Sequence, residues 1–409
     1  MKENTQSLTK QLLKLPVIVA ALGYLVDMYD LFLFSVVRVP SLKSLGVSDE
    51  LLLPEGVFLL NMQLAGLLIG GVLWGIMGDK KGRLSVLFGS IILYSLSNMA
   101  NGLVQTLPQY AVLRFIAGIG LAGELGAGIT LVAELLPQKL RGYGAIIVST
   151  MGVLGGVLAY FVADLFEWRV SYFVGGGLGL LLLLLRINVF ESGLFLKLKQ
   201  EKAQRGDILM IFGNGERLKK YLLAIIVGVP LWFVVGVLIT FSPEFGKAHG
   251  LTETIVAGKA VMLTFLGQSF GNVVCGLLSQ QLQSRKKAIG IFMVLSFMMM
   301  LIYLLLPVSS TFVFYTIIFF LGFFNGYWTL FIIMAAELFG TNIRATVATS
   351  IPNFVRGAAI PLTASFAALK PDFGVNTAAL IIGGITVGVS LFALFFLEET
   401  FSKDMNYVE

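Results

Sequence analysis

Stretches of about 20 apolar residues recur along the whole chain, each closed by charged or turn-forming residues. A run of that length crosses the hydrocarbon of a bilayer as a helix, where every backbone polar group finds its partner within the segment. Twelve such spans are predicted, at about residues 16–37, 55–77, 84–105, 109–133, 142–166, 170–190, 220–243, 254–279, 287–307, 311–336, 346–369 and 375–397. The first run is too long for a signal peptide and lacks an Ala-x-Ala exit, so it is expected to be retained. The longest polar stretch divides the spans six and six. The pattern predicts an all-α membrane protein with a six-helix bundle at 1–190, a cytoplasmic linker at 191–219 and a second six-helix bundle at 220–409.

Lysine and arginine set the orientation, because they concentrate on cytoplasmic loops. With the N-terminus inside, most of the 29 fall on cytoplasmic segments, and the outer loops hold only Lys43, Arg169, Lys247 and Lys370. Both termini are therefore expected in the cytoplasm, with the chain multi-pass in a plasma or inner membrane. Arg38, Arg114, Lys259 and Arg356 fall within or at the end of a span and need another explanation.

Composition narrows the function. The chain is 57% hydrophobic and 13% charged, whereas soluble domains carry about 25% charged residues. A single cysteine, Cys275, and a single histidine, His249, exclude a disulfide framework, a Cys/His zinc site and a Ser-His-Asp triad. The net charge of +6 lies between spans rather than on one periodic face, so a nucleic-acid partner is not expected. Gly213-Asn214-Gly215 follows no strand and lacks the remaining spacing of a phosphate loop. No enzyme, cofactor or metal is expected. The partners expected are the lipid bilayer, protons and a small-molecule substrate, with the chain a monomer.

The two halves repeat. Glu134-Leu-Leu-Pro-Gln-Lys-Leu-Arg141 after span four recurs as Glu337-Leu-Phe-Gly-Thr-Asn-Ile-Arg344 after span ten. Gly75-Ile-Met-Gly78-Asp79-Lys-Lys-Gly82-Arg83 ends span two, and Gly276-Leu-Leu-Ser279-Gln280 with Arg285 ends span eight. Glu191-Ser and Glu398-Glu399-Thr-Phe401 close the sixth and twelfth spans alike. Such landmarks argue for a duplicated six-helix unit.

On these motifs the sequence resembles the major facilitator superfamily of secondary transporters over essentially its whole length. Gly75 to Arg83 is similar to the family's loop 2-3 motif and Arg114-Phe-Ile-Ala-Gly118-Ile-Gly120 to its fourth-span arginine motif. Gly123-Glu124-Leu-Gly126, Trp168-Arg169 and the Glu337 to Thr346 segment resemble the branch of metabolite:proton symporters, sugar porters and organic ion carriers. The second-half loop has Gln280 where the motif has aspartate, so only the first half holds the full charged motif. The resemblance implies two bundles around a central cavity, with spans one and four along it.

An ionised side chain at the bilayer centre costs about 2.5–3.5 kcal/mol and is placed there only with a partner or a wet cavity. Asp27, Glu124 and Arg356 lie at such depths. Asp27 and Asp30 share one helix face, so they can hold a proton between them. Asp27, Asp30 and Glu124 are thus proton-coupling candidates, unless Arg114 or Arg38 neutralises one as a structural pair. The fork of Arg356 suits a substrate carboxylate, or else pairs with Asp27 or Glu124 across the interface. Arg114, Asn353, Asn325, Tyr327, Trp328 and Tyr24 are the other substrate-binding candidates. Asp79, Arg83, Glu134 and Arg141, with Arg285, Glu337 and Arg344, are expected to form a latch of ion pairs at the cytoplasmic ends. Glycines such as Gly66 and Gly70 are read as packing notches, and Pro230, Pro352 and Pro361 as points of bending.

The reading is a proton-coupled transporter of a small organic solute, most simply a carboxylate-bearing metabolite, working by alternating access. A sugar carrier, a cationic drug exporter and a non-transporting membrane receptor are the alternatives.

Overall fold

The computed structural model describes residues 15–81, 83–123, 141–190, 213–340 and 344–401. Among these no strand occurs, and nine helical stretches are long and apolar enough to cross a membrane. In the first half the helices are α1 (Leu15–Ser44), α2 (Leu52–Lys81), α3 (Arg83–Asn101), α4 (Leu107–Leu121), α5 (Arg141–Leu165) and α6 (Trp168–Phe190). They run up and down between two ends of the bundle. The end that holds Leu15 and Phe401 is called the terminal end, and the end that holds the loop at 45–51 is called the distal end.

The second half comprises α7 (Gly215–Phe233), a π-helical turn (Val234–Ile239), the short α8 (Ser242–Ala248), α9 (Ala257–Leu282), α10 (Arg285–Leu305), α11 (Thr311–Phe324), α12 (Trp328–Glu337), α13 (Arg344–Gly357) and α14 (Ala359–Phe396). Helix α7 begins more than a turn ahead of residue 220, because the Asn214 side chain accepts from the backbone N–H groups of Glu216 and Arg217 and caps it. The tenth span, expected as one helix, is broken at Asn325-Gly326-Tyr327 into α11 and α12. The polar residues there stop the helix, and Asn325 turns its amide to the Leu231 carbonyl at 3.2 Å. Helix α14 carries the end of span eleven and all of span twelve, folded where Gly374 takes φ +76. An L side chain is strained at that φ, and nothing lies within 4 Å of the site to explain the glycine otherwise.

The duplication is visible in the packing. A Cβ on Gly66 would lie 2.1 Å from the Phe115 carbonyl oxygen, and one on Gly267 would lie 2.1 Å from that of Phe319. Gly118 meets the Gln63 carbonyl and Gly322 the Thr264 carbonyl in the same way. Spans two and four thus touch backbone to backbone, as do spans eight and ten, at notches set about 200 residues apart. The halves then meet through α5 against α9 and α2 against α13. These two contacts exchange when the halves are exchanged, so the interface has the twofold character of the repeat.

Pro230 has no N–H, so the carbonyl of Ile226 loses its helical partner. The Ser390 hydroxyl on α14 donates to that carbonyl at 2.6 Å. One turn later α7 passes into the wide π turn, whose exit at Thr240 is buried. The bend read from Pro230 is therefore a built and hydrogen-bonded distortion of the seventh span.

Candidate functional site

Two polar groups are buried near the middle of the bundle, and α1 supplies a carboxylate to each. Asp27 faces the other half: an Nη2 donor of Arg356 on α13 lies 3.4 Å from its Oδ2, and both side chains are wholly buried. Arg356 also approaches the Met28 sulfur at 3.7 Å and stands 6.0 Å over the Trp232 ring. Tyr24, one turn before Asp27, is next to Arg356, and its hydroxyl accepts from the Trp328 indole at 3.0 Å. Tyr24, Asp27, Trp328 and Arg356 thus form one cluster shared by both halves. The Nε and Nη1 groups of Arg356 meet no acceptor with hydrogen-bond geometry among the described residues.

Asp30 faces the other way, into the first half. Its Oδ1 would lie 2.3 Å from a Cβ on Gly175, so α6 closes over it only because that position is glycine. Arg114 on α4 is within electrostatic reach, and Asn98 on α3 lies alongside without hydrogen-bond geometry. Arg114 donates to the Gln63 side chain and to the Tyr172 hydroxyl at 3.4 Å, and its guanidinium stacks 4.6 Å over the Phe34 ring. Asp27 and Asp30 are three residues apart and within electrostatic reach of each other, yet their partners come from different halves. Asp27 reads the second half and Asp30 the first.

Arg38 neutralises neither aspartate. It lies eleven residues beyond Asp27 on α1, about 16 Å away along the helix, and pairs with Glu244 of α8 at 2.9 Å. The expectation that it balances a central carboxylate is corrected: its depth in the sequence is that of the distal mouth, where the second half offers an acid. Lys259 covers the Tyr315 ring at 4.5 Å.

Asn353 donates to the Ala122 carbonyl at 3.1 Å across the halves, and Asn325 serves the distorted seventh span. The Tyr327 hydroxyl is buried and has no acceptor or donor among the described residues. Of the span-ten candidates Asn325, Tyr327 and Trp328, only Trp328 hydrogen-bonds into the central cluster. Sequence reasoning passed over Trp232, Gln63 and Asn98 as individual site residues; each is a polar or aromatic residue within a span, and only packing distinguishes these from others like them.

At the terminal end Arg285 pairs with Glu337 at 3.3 Å, which joins two of the expected latch residues within the second half. Glu124 and Glu134, and the side chains of Asp79, Arg83, Arg141 and Arg344, lie outside the described residues. The Glu399 carboxylate takes the Ser284 hydroxyl and the Arg285 backbone N–H at 2.8 Å, so it closes the N-terminus of α10. Burial alone would raise its pKa, but those bonds and the backbone N–H groups of Phe401 and Thr400 outweigh it and hold the group below the usual glutamate range.

Inter-half contacts run from the distal mouth to the centre. Arg38 meets Glu244, the Ser35 and Thr240 hydroxyls hydrogen-bond at 3.1 Å, and Thr363 donates to Asn61 at 2.7 Å. Between these and Arg356 lies a void of about 10 Å³, lined by Phe32, Ser35, Trp232 and Thr240 among others, with room for about one water.

Two six-helix units from a duplicated sequence, with opposed charges buried on their shared face, define a membrane transporter of solutes. The chain belongs to the Major Facilitator Superfamily, which it matches over residues 20–364. It is 26% identical over 396 residues to the probable 4-methylmuconolactone transporter of Cupriavidus pinatubonensis, spanning 92% of this chain and 89% of that protein. It is 34% identical over 171 residues to the cis,cis-muconate transport protein of Acinetobacter baylyi, spanning 39% of each. The solved inward-open xylose transporter XylE of E. coli superposes with a TM-score of 0.71 at 19% identity, spanning 95% of this chain and 97% of that one. That last likeness is one of fold.

Proposed function

We propose that this transporter moves a small carboxylate-bearing metabolite together with protons, by alternating access of a central site to the two ends. The observation that carries the reading is Arg356, a buried guanidinium at the shared face whose Nε and Nη1 groups have no acceptor among the described residues. A carboxylate presented to that fork completes it, and Asp27 already holds the Nη2 side. The similar 4-methylmuconolactone and muconate transport proteins support the substrate class.

Coupling follows from charge balance. Removing one partner of a buried ion pair costs about 3–5 kcal/mol, since the other charge is left uncompensated. When a proton neutralises Asp27, Arg356 needs another anion, and a substrate carboxylate supplies it. Proton and anion binding then favour each other reciprocally. Asp30 and Glu124 are further stations for the proton, and Asn353, Asn325, Tyr327, Trp328, Tyr24 and Arg114 line or support the site as the halves part. The terminal end is the cytoplasmic one, on the distribution of lysine and arginine. There Asp79, Arg83, Glu134, Arg141 and Arg344, with the Arg285–Glu337 pair, hold the end shut when the site faces out. The protein acts as a monomer of two bundles joined by the 191–219 linker.

The test is uptake into proteoliposomes under an imposed pH gradient, with cis,cis-muconate, benzoate, xylose and a quaternary amine as solutes. Accumulation of a carboxylate in the parent, lost in Asp27→Asn while exchange persists, is expected. Full pH-driven accumulation by Asp27→Asn and Asp30→Asn alike, or accumulation of the sugar or amine instead, overturns the reading.

A further inference from the structure

We propose that Arg38 is a second anion-binding position, at the distal mouth, where it takes the carboxylate of the incoming solute, and that Glu244 is its internal competitor. The proposal rests on the carboxylate reading above. Arg38 is wholly buried in this structure. Its Nη2 donates to both oxygens of Glu244, at 2.9 and 3.0 Å, and to the Thr240 carbonyl at 3.3 Å. Its Nη1 donates to the Leu52 carbonyl at 3.2 Å, its Cζ lies 4.7 Å over the Phe241 ring, and its Nε has no acceptor among the described residues.

These partners divide unequally between the halves. Glu244, Thr240 and Phe241 belong to the second half, at and beyond the π turn, and only Leu52 belongs to the first. Parting the halves at the distal end therefore removes the carboxylate, one carbonyl and the aromatic face in a single movement. Arg38 is left on the wall of an open mouth with one neutral acceptor. A guanidinium so placed, over a low-dielectric wall, attracts carboxylates from solution.

The pairing also mirrors the centre. Asp27 of the first half holds Arg356 of the second, and Glu244 of the second holds Arg38 of the first. Each half supplies one arginine and one acid, and each acid occupies the fork that the other half offers. Below Arg38 the Ser35–Thr240 bond and the small void lead on to Trp232 and Arg356. A carboxylate can pass from the outer guanidinium to the inner one along one face of α1.

A plain lock and an anion site are separable, because Arg38→Gln and Glu244→Gln break the same ion pair but only the first removes the cation. The experiment is the initial rate of uptake by intact cells against the concentration of cis,cis-muconate and of benzoate, at equal surface amounts of monodisperse protein. Arg38→Gln is expected to raise KM roughly three- to tenfold. Arg38→Lys should recover part of that loss, and Glu244→Gln should leave KM unchanged or lower it, since its competitor for Arg38 is gone. Equal effects of Arg38→Gln and Glu244→Gln on KM overturn the proposal and leave a lock. A rise in KM for Glu244→Gln overturns it as well, and that variant decides the matter even if Arg38→Gln does not fold. A parent chain that carries neither probe defeats the carboxylate reading itself, and this site with it.

Discussion

Asp27 and Arg356 lie 329 positions apart in sequence and 3.4 Å apart in space, each without exposure to solvent, on opposite halves of the molecule. Their contact is what makes charge balance at the centre depend on both halves at once. Breaking such a pair is costly and deleting it is not. Asp27→Asn and Arg356→Gln are each expected to lose about 3–5 kcal/mol of stability, and the double variant to lose less than either. Thermal unfolding of the four proteins in one detergent gives the cycle; additive losses would show that the pair does not stabilise the closed interface.

The indole of Trp328 and the hydroxyl of Tyr24 make a neutral bond across the halves, 3.0 Å long. Hydrogen bonds between membrane helices average about 0.6 kcal/mol. Tyr24→Phe should therefore shift the balance between closed and open distal ends by roughly threefold, without unfolding the protein. The labelling rate of Leu60→Cys, at the wall of the distal void, reads that shift in a background where Cys275 is replaced. An unchanged rate would mean that the bond survives opening.

The paired glycine notches permit a comparison within one chain. Gly66→Ala and Gly267→Ala force a Cβ to 2.1 Å from a carbonyl oxygen and should each cost about 1–3 kcal/mol or more. Gly276→Ala, nine residues along α9 from Gly267 and so on the opposite side of that helix, has nothing within 4 Å and should cost nothing measurable, or stabilise slightly. Melting temperatures of the three variants test this, and a large loss for Gly276→Ala would contradict it.

At the terminal end, Glu399 carries a depressed pKa through its bonds to Ser284 and to the first turn of α10. A carboxylate of lowered pKa stabilises the fold above its ordinary value, and the contribution fades as pH falls through the lowered one. The group is largely exposed, so the effect is about 1 kcal/mol or less. Glu399→Gln should melt below the parent at pH 7 and converge with it as the solution is acidified toward pH 3. A gap that widens on acidification would reverse the assigned sign.

Much of this arrangement is legible in the sequence where one residue's cost fixes its place. The length of the apolar runs gives the spans, and the expense of burying Asp27 and Arg356 marks both as central. The Glu134 and Glu337 segments give the duplication. What a one-dimensional pattern cannot show is direction around a helix once every face is apolar. Asp27 and Asp30 lie within electrostatic reach of each other, yet one meets Arg356 of the other half and the other packs under Gly175. Glu244 reads as a loop acid, and only the fold brings it back over α1 to Arg38. The distortion of span seven is likewise hidden within an apolar run, because the carbonyls of Ile226 and Leu231 are met by Ser390 and Asn325 from other spans.

The π turn at Val234–Ile239 has one further consequence, which is one of phase. A π turn holds one residue more than the α turn it replaces, and an extra residue rotates everything beyond it by about 100 degrees around the axis. Thr240, Phe241 and Glu244 all lie beyond it, and all three touch Arg38. The insertion is what aims the distal mouth at α1. Deleting one residue from 234–239 would restore a regular helix, turn Glu244 about a quarter of a circle away and leave Arg38 facing apolar side chains. In this chain a single surplus residue, spent in the seventh span, sets which side of the helix closes the door.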